Sequence, residues 1–324
     1  MPVGTDNHRR ARPGPPLVLR LAIHLGQAMA LSPVNCAAVD FRSQVMNASH
    51  PLDISLAITA VGKNVWHSPS SPLYWNSIGP FGGWIAAMLL HAVLSEEEAR
   101  GDPVSLQAQF IGSLRQAPFS IHTRCLRQGR STAFWQSEIR QAPEDGGEEQ
   151  VCANATVTLS GWRETFTLND AVMPQVQPAA TLPHVPPRPF RAPEFLARYD
   201  YRMASGPMFQ SAPDMNSLLW VRDAERRTYD ARSIAAICDT PFPSIWLRMD
   251  HPVVITTVAY NVFFRTGNAG MTRAGDSHVL LQSRCAAGTD GFFDQDTLVW
   301  SAAGQLLAQT QQLAWFSNKP LVRP

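Results

Sequence analysis

The stretch Ala231–Trp246 reads ARSIAAICDTPFPSIW: an apolar run of helical character that ends on Asp239 and is stopped by Pro241 and Pro243. A carboxylate beside Ile234, Ala235, Ala236, Ile237 and Cys238 costs free energy unless it is paired, hydrated or used. Two readings follow. In one, Asp239 ends a helix and faces water. In the other it is a general base, because burial raises a carboxylate's pKa and strengthens it as a base near neutrality.

Other chemistry-bearing types are sparser. Cys238 lies next to Asp239, but no His is near it in sequence, and a buried helical cysteine is ordinarily inert. In NSIGPFGGW, Gly82 and Gly83 open a second helical run, between Phe81 and Trp84. Free N–H groups at such a helix start polarise a carbonyl or hold a phosphate. The same glycines also let a helix pack closely on a sheet. No Gly-Lys-Ser/Thr follows, so this is not a Walker loop. No Gly-x-Ser-x-Gly elbow occurs, which argues against an α/β-hydrolase. His91 and His122 sit in regular apolar segments and read as structural, so no metal site is expected. Arg127 and Arg130 flank Gly129 in a hairpin; they are either phosphate contacts or solvated turn residues.

These candidates need elements to position them. The chain has 324 residues, 45% hydrophobic and 16% charged, enough for a sizeable core and about two domains. A formal charge of +1 offers no basic field for nucleic acid. Five cysteines, never spaced Cys-x-x-Cys, fit a reducing, intracellular compartment better than a disulfide framework. No apolar run approaches the ~20 residues that span a bilayer.

The chain repeats itself. NSIGPFGGWIAAMLLHAVLSEEEA predicts a helix, PVSLQAQFIGSL a strand with one buried face, PFSIHTRCLRQGRSTAFWQSEIRQ a hairpin and EQVCANATVTLSGW a further strand. The second half follows the same order. ARSIAAICD takes the helix position, and TVAYNVFFR, with Val258, Tyr260, Val262 and Phe264 alternating onto a buried face, takes that of VSLQAQFIG. SHVLLQSRCAAGTDGFFDQDTLVWSAAGQLLAQTQQLAWF supplies the remaining strands, with turns at Gly288 and AAGQ. The expected organisation is an N-terminal extension over 1–45, a first unit over 46–172, a proline-dense linker over 173–193 that cannot join a sheet, and a second unit over 194–324. The fold class is α+β, two antiparallel sheets each wrapped around a long helix.

The phrases GPFGGWIAAMLLHA, LRQGRSTAFWQSEIRQ, LLWVR and LLAQTQQLAWF, in this order, resemble the acyl-CoA thioesterase II family over about residues 50–317. The resemblance implies a double hotdog and hydrolysis of acyl thioesters without a cofactor. It also implies a water held by an Asp, a Thr or Ser, and a Gln of the second unit. Carried over singly, these fall on Asp239, on Thr257 with Thr256 as the alternative register, and on Gln312 with Gln311 as the alternative. Gly82, Gly83, Phe81 and Trp84 are the expected substrate contacts. Many hotdog proteins carry a His where Phe81 stands, so Phe81 receives no catalytic role.

The expected partner is an acyl-CoA or another acyl thioester, with a homo-oligomer as one possible assembly. The departure at Phe81 keeps open a rival, a non-hydrolytic hotdog that binds an acyl or polyketide-like ligand as an accessory to biosynthesis. Arg20–Ala28, RLAIHLGQA, resembles the type-2 peroxisomal targeting nonapeptide, which leaves the cytoplasm and the peroxisome as alternative locations.

Overall fold

The computed structural model describes residues 50–185 and 192–320. The extension over 1–45, with its targeting-like nonapeptide, lies outside the described residues. The first half runs α1 (Pro51–Ser55), β1 (Thr59–Gly62), β2 (Val65–Ser68), α2 (Gly82–Leu94), β3 (Asp102–Phe110), β4 (Phe119–Gln128), β5 (Thr132–Gln141) and β6 (Gln150–Ser160). The second runs β7 (Tyr199–Ser205), β8 (Ser217–Asp223), α3 (Ala231–Ile237), β9 (Val253–Phe264), α4 (Asn268–Ala274) and β10 (Val279–Arg284). It closes with β11 (Gly288–Thr289), β12 (Phe292–Trp300) and β13 (Leu306–Pro320).

The expectation of two antiparallel sheets is corrected: among the described residues the strands form one, because β3 and β9 pair across the halves, in the order β1-β2-β4-β5-β6-β3-β9-β13-β12-β10-β8-β7, with β11 paired to β12. The order reads alike from either end: β3 answers β9, β6 answers β13, β5 answers β12, β4 answers β10 and β2 answers β8. The duplication seen in the sequence is therefore a duplication of topology. The halves join through β3 and β9, where Gln107 faces Asn261 at the centre of the ladder. Each joining strand covers what would otherwise be an open sheet edge.

The helix α2, GGWIAAMLLHAVL, is apolar around nearly its whole circumference, and ten of its thirteen residues are buried. A helix of that kind is stable only inside a core, and truncating Leu89 or Leu90 to Ala would cost about 2–5 kcal/mol. The expectation of a long helix in each half is corrected for α3, which has seven residues against thirteen in α2. A capping box starts α3: Asp230 Oδ1 accepts from the Ser233 N–H at 2.9 Å, and Ser233 Oγ accepts from the Asp230 N–H at 3.0 Å. Pro241 and Pro243 prevent its continuation.

The two helices pack antiparallel. Gly83, in the first turn of α2, lies so close to the Ala236 carbonyl of α3 that an added Cβ would sit 2.4 Å from it. At the opposite end, His91 of α2 lies in the field of Arg232 and Asp230 and, mainly through burial, titrates near 4. Here Arg227 donates from Nε and Nη2 to the two Asp53 oxygens, both at 2.9 Å, and Nη2 also reaches Asp230 at 2.7 Å. That ion cluster clamps α1 of the first half to the start of α3.

The described part of the proline-dense segment, 173–185, is packed rather than free. Ala171, Met173, Val176, Ala179 and Leu182 lie against the buried Trp220, Leu280 and Trp300. Trp220 Nε1 donates to the Gln177 carbonyl at 2.9 Å, and Val185 donates its N–H to the Tyr201 carbonyl on the edge strand β7 at 2.9 Å. Residues 173–185 form a strap across the outer face of the second half. None of the helices among the described residues is long and apolar enough to cross a membrane.

Candidate active site

Asp239 follows Cys238, the C-cap of α3, and its N–H is bonded to the Ala236 carbonyl at 3.2 Å. Thr240 Oγ1 donates back to the Ile237 carbonyl at 2.7 Å, and the Tyr260 hydroxyl donates to the Ala235 carbonyl at 2.6 Å, which pins α3 onto β9. The carboxylate is thereby held at the amino end of α2. Gly83 donates its backbone N–H to it. A Cβ on Gly82 would lie 2.8 Å from Oδ2, so only glycine leaves room for this oxygen. No side chain caps α2, since Phe81 in the N-cap position contributes no hydrogen bond. The helix end favours negative charge, but loss of water outweighs it. Burial raises the Asp239 pKa to about 7, against the pull of the Gly83 N–H and the Gln312 amide.

Gln312 lies on β13 opposite Tyr260 of β9. Its Nε2 donates to Asp239 Oδ1 at 3.0 Å, and its Oε1 accepts from Thr257 Oγ1 at 3.3 Å. The three side chains form one hydrogen-bonded line, Thr257 to Gln312 to Asp239. Thr256 and Gln311 are exposed and belong to the other face.

Thr257 shares a face with Tyr260, three residues away, because the β9–β13 register slips there. Leu313 pairs with Ala259 and Ala314 with Thr257, so Val258 has no partner and forms a bulge. This corrects the expectation that Val258 alternates onto the buried face with Tyr260: it is 37% exposed. One extra residue exchanges the faces of everything before it.

The other expected residues divide. Gly82 and Gly83 border the carboxylate, and Gly83 also makes the close helix contact described above. Phe81 is buried and stacked on Phe195, ring centroids 4.2 Å apart. Trp84 is a core residue: it is buried, packs edge-on against Phe119 and donates Nε1 to Ser55 Oγ at 2.9 Å. The Cys238 thiol is pushed far above its ordinary pKa by burial and by the Asp239 charge, which leaves it protonated and unreactive. Arg127 and Arg130 are exposed on the β4–β5 hairpin. Residue-by-residue reading missed Tyr199 and Tyr201, whose buried phenols feel the Asp239 charge. Their two-residue spacing on a strand was the available signal.

The model of the acyl-CoA thioesterase N-terminal domain matches residues 71–160, and that of the acyl-CoA thioesterase C-terminal domain matches residues 174–316. The chain belongs to the acyl-CoA thioesterase family. Membership makes this thioesterase a hydrolase, and the C-terminal match contains Asp239, Thr257, Gln312 and most of the strap.

The chain is similar to a hotdog-fold protein of unknown function from Alicyclobacillus acidocaldarius, at 32% identity and a TM-score of 0.78, over 84% of this chain and 99% of the other. It is also similar to a candidate thioesterase II from Thermobifida fusca, at 21% identity and a TM-score of 0.71, over 83% and 98%. A third likeness is to an acyl-CoA thioesterase II from Mycobacterium marinum, at 15% identity and a TM-score of 0.64, over 82% and 98%. A search of curated proteins finds no match. The thioesterase shares with these structures the hotdog architecture of an extended antiparallel sheet with few helices.

Proposed function

We propose that the protein is a double hotdog that hydrolyses acyl-CoA or a related acyl thioester, with Asp239 as general base and Gln312 and Thr257 as the residues that position it. The observation that carries this reading is the line from Thr257 through Gln312 to Asp239 Oδ1, which leaves Oδ2 turned towards the amino end of α2. A water on Oδ2 attacks the thioester carbonyl carbon while Asp239 takes one of its protons. The oxyanion that forms lies against first-turn N–H groups of α2, where fixed dipoles stabilise it. Collapse breaks the C–S bond, and the proton held by Asp239 leaves with the thiolate sulfur. The products are the carboxylic acid and the free thiol. A pKa near 7 suits a group that accepts and returns a proton at neutral pH.

The test is steady-state hydrolysis of an acyl-CoA panel by the wild type and Asp239→Asn. The variant should lose about 10²–10⁴-fold in kcat. Equal rates would remove Asp239 from the mechanism. Binding of the panel with no turnover by the wild type would favour a non-hydrolytic ligand-binding protein.

A further inference from the structure

A second polar group of side chains begins beside Asp239 and leads away from it through the core. Tyr199 and Tyr201 project from one face of β7, ring centroids 5.9 Å apart, and Tyr74 lies edge-on to Tyr199 at 6.2 Å. All three are buried, and none of the three hydroxyls has a hydrogen-bond partner. Asp223, paired across the ladder with Tyr199, is 2% exposed, and neither of its carboxyl oxygens has a partner.

The row is continuous with the candidate active site at two points. Tyr201 packs on Phe242 at 5.5 Å, three residues beyond Asp239, and Tyr199 meets Phe81, the residue before Gly82, at 6.2 Å. The Phe81 N–H is itself bonded to the Tyr74 carbonyl at 2.8 Å. On the other side of Gly82 the surroundings are apolar, with the Phe110 ring stacked on Tyr260.

Buried hydroxyls and carboxyls are almost always hydrogen-bonded, and leaving one unpaired is costly. Four such groups side by side are a specific departure from that rule, and departures of this kind concentrate at functional sites. We propose that Tyr201, Tyr199, Tyr74 and Asp223 form the specificity surface for the acyl part of the substrate, and that the preferred acyl group carries a hydroxyl distant from its thioester carbonyl. The proposal rests on Asp239 marking the position of that carbonyl.

A hydroxyl matches the set because it donates to Asp223 and accepts from a phenol at once. A second carboxylate in the acyl group would meet Asp223 and Asp239, and an ammonium would need a dehydrated ion pair with Asp223. Both fit less well than a neutral group. A plain alkyl chain brings no partner at all. Sites built to hydrogen-bond a substrate hydroxyl discriminate strongly against the analogue that lacks it.

The test uses non-hydrolysable CoA thioethers in which a methylene separates sulfur from carbonyl, in two matched pairs: octanoyl against ω-hydroxyoctanoyl, and phenylpropanoyl against para-hydroxyphenylpropanoyl. Calorimetric Kd values for the wild type should favour the hydroxylated member of at least one pair by about 10-fold or more. Tyr201→Phe, Tyr199→Phe and Asp223→Asn should each move that ratio towards one. Thermal melts identify the variants that stay folded, and the two Tyr→Phe changes are near-isosteric should Asp223→Asn not fold. Equal affinities within both pairs, or an unchanged ratio in every folded variant, would overturn the proposal. Binding is read without turnover, so the hydrolytic reading fails separately, by equal hydrolysis in Asp239→Asn.

Discussion

Gln312 Nε2 sits 3.0 Å from Asp239 Oδ1, while the carbonyl oxygen of the same amide is held by Thr257. The threonine thereby decides which way round the amide stands, and the amide decides which carboxylate oxygen stays available. Removing the donor should loosen the carboxylate and raise its pKa further, since a hydrogen bond to the charged form favours it. Gln312→Ala is expected to lower kcat by about 10–100-fold, judged against the 10²–10⁴-fold scale of a general base. Its pH–rate profile should be displaced to higher pH. Gln311→Ala, on the exposed face, should do neither.

The pH dependence of the wild type follows from the base. With Asp239 titrating near 7, kcat should climb as pH rises through neutrality and level off above it. In Asp239→Asn this limb should vanish along with most of the rate. A wild-type profile already flat from about pH 5 upward would mean an ordinary, hydrated carboxylate.

Stability should move in the opposite direction. The unfolded Asp239 titrates near 3.8 and the folded one near 7, so between those values the folded state holds more protons. Stability therefore falls as pH rises across that window and is constant above it. Asp239→Asn escapes the penalty. Chemical denaturation at about pH 5 and about pH 8 should find the variant more stable than the wild type at the higher pH, with a smaller difference at the lower.

Gly82 and Gly83 are adjacent but should fail differently. A methyl on Gly82 meets the carboxylate oxygen and the flexible Phe110 ring, so Gly82→Ala should cost activity while the protein stays folded. A methyl on Gly83 meets the backbone carbonyl of Ala236 and the Phe81 ring. The carbonyl cannot retreat without separating α3 from α2, the Phe81 ring is held by its stack on Phe195, and Gly83→Ala should lower stability by about 1–3 kcal/mol. Melting temperatures and kcat on the two variants separate these outcomes.

The ordering of elements was legible because each is written locally. A long apolar run opened by glycines marks α2, proline stops mark the end of α3, and the matching of TVAYNVFFR with VSLQAQFIG anticipates that β3 and β9 occupy equivalent positions. The bulge at Val258 was not legible, since it arises from how β9 pairs with β13 and β9 alone reads as regular alternation. The strap was half legible: its prolines keep it out of the sheet, but Val176 and Leu182 find an apolar face that only tertiary structure assembles. The turn placed at Gly288 falls instead at Asp290 and Gly291, both at positive φ, a hairpin signal present in the sequence and passed over. Tyr74 stands far from Tyr199, Tyr201 and Asp223 in the chain, and folding alone makes neighbours of them.

Because α2 and α3 run in opposite directions, the molecule has two places where the start of one helix meets the end of the other. One holds glycines and a lone carboxylate. The other is already occupied by Asp53, Arg227, Asp230 and Arg232, bonded among themselves. A doubled architecture would suggest two equivalents of ligand at saturation. With one vestibule filled by guanidinium–carboxylate pairs, a titration with a non-hydrolysable acyl-CoA analogue is expected to saturate at one equivalent per chain, and two equivalents would count against Asp239 marking a single site.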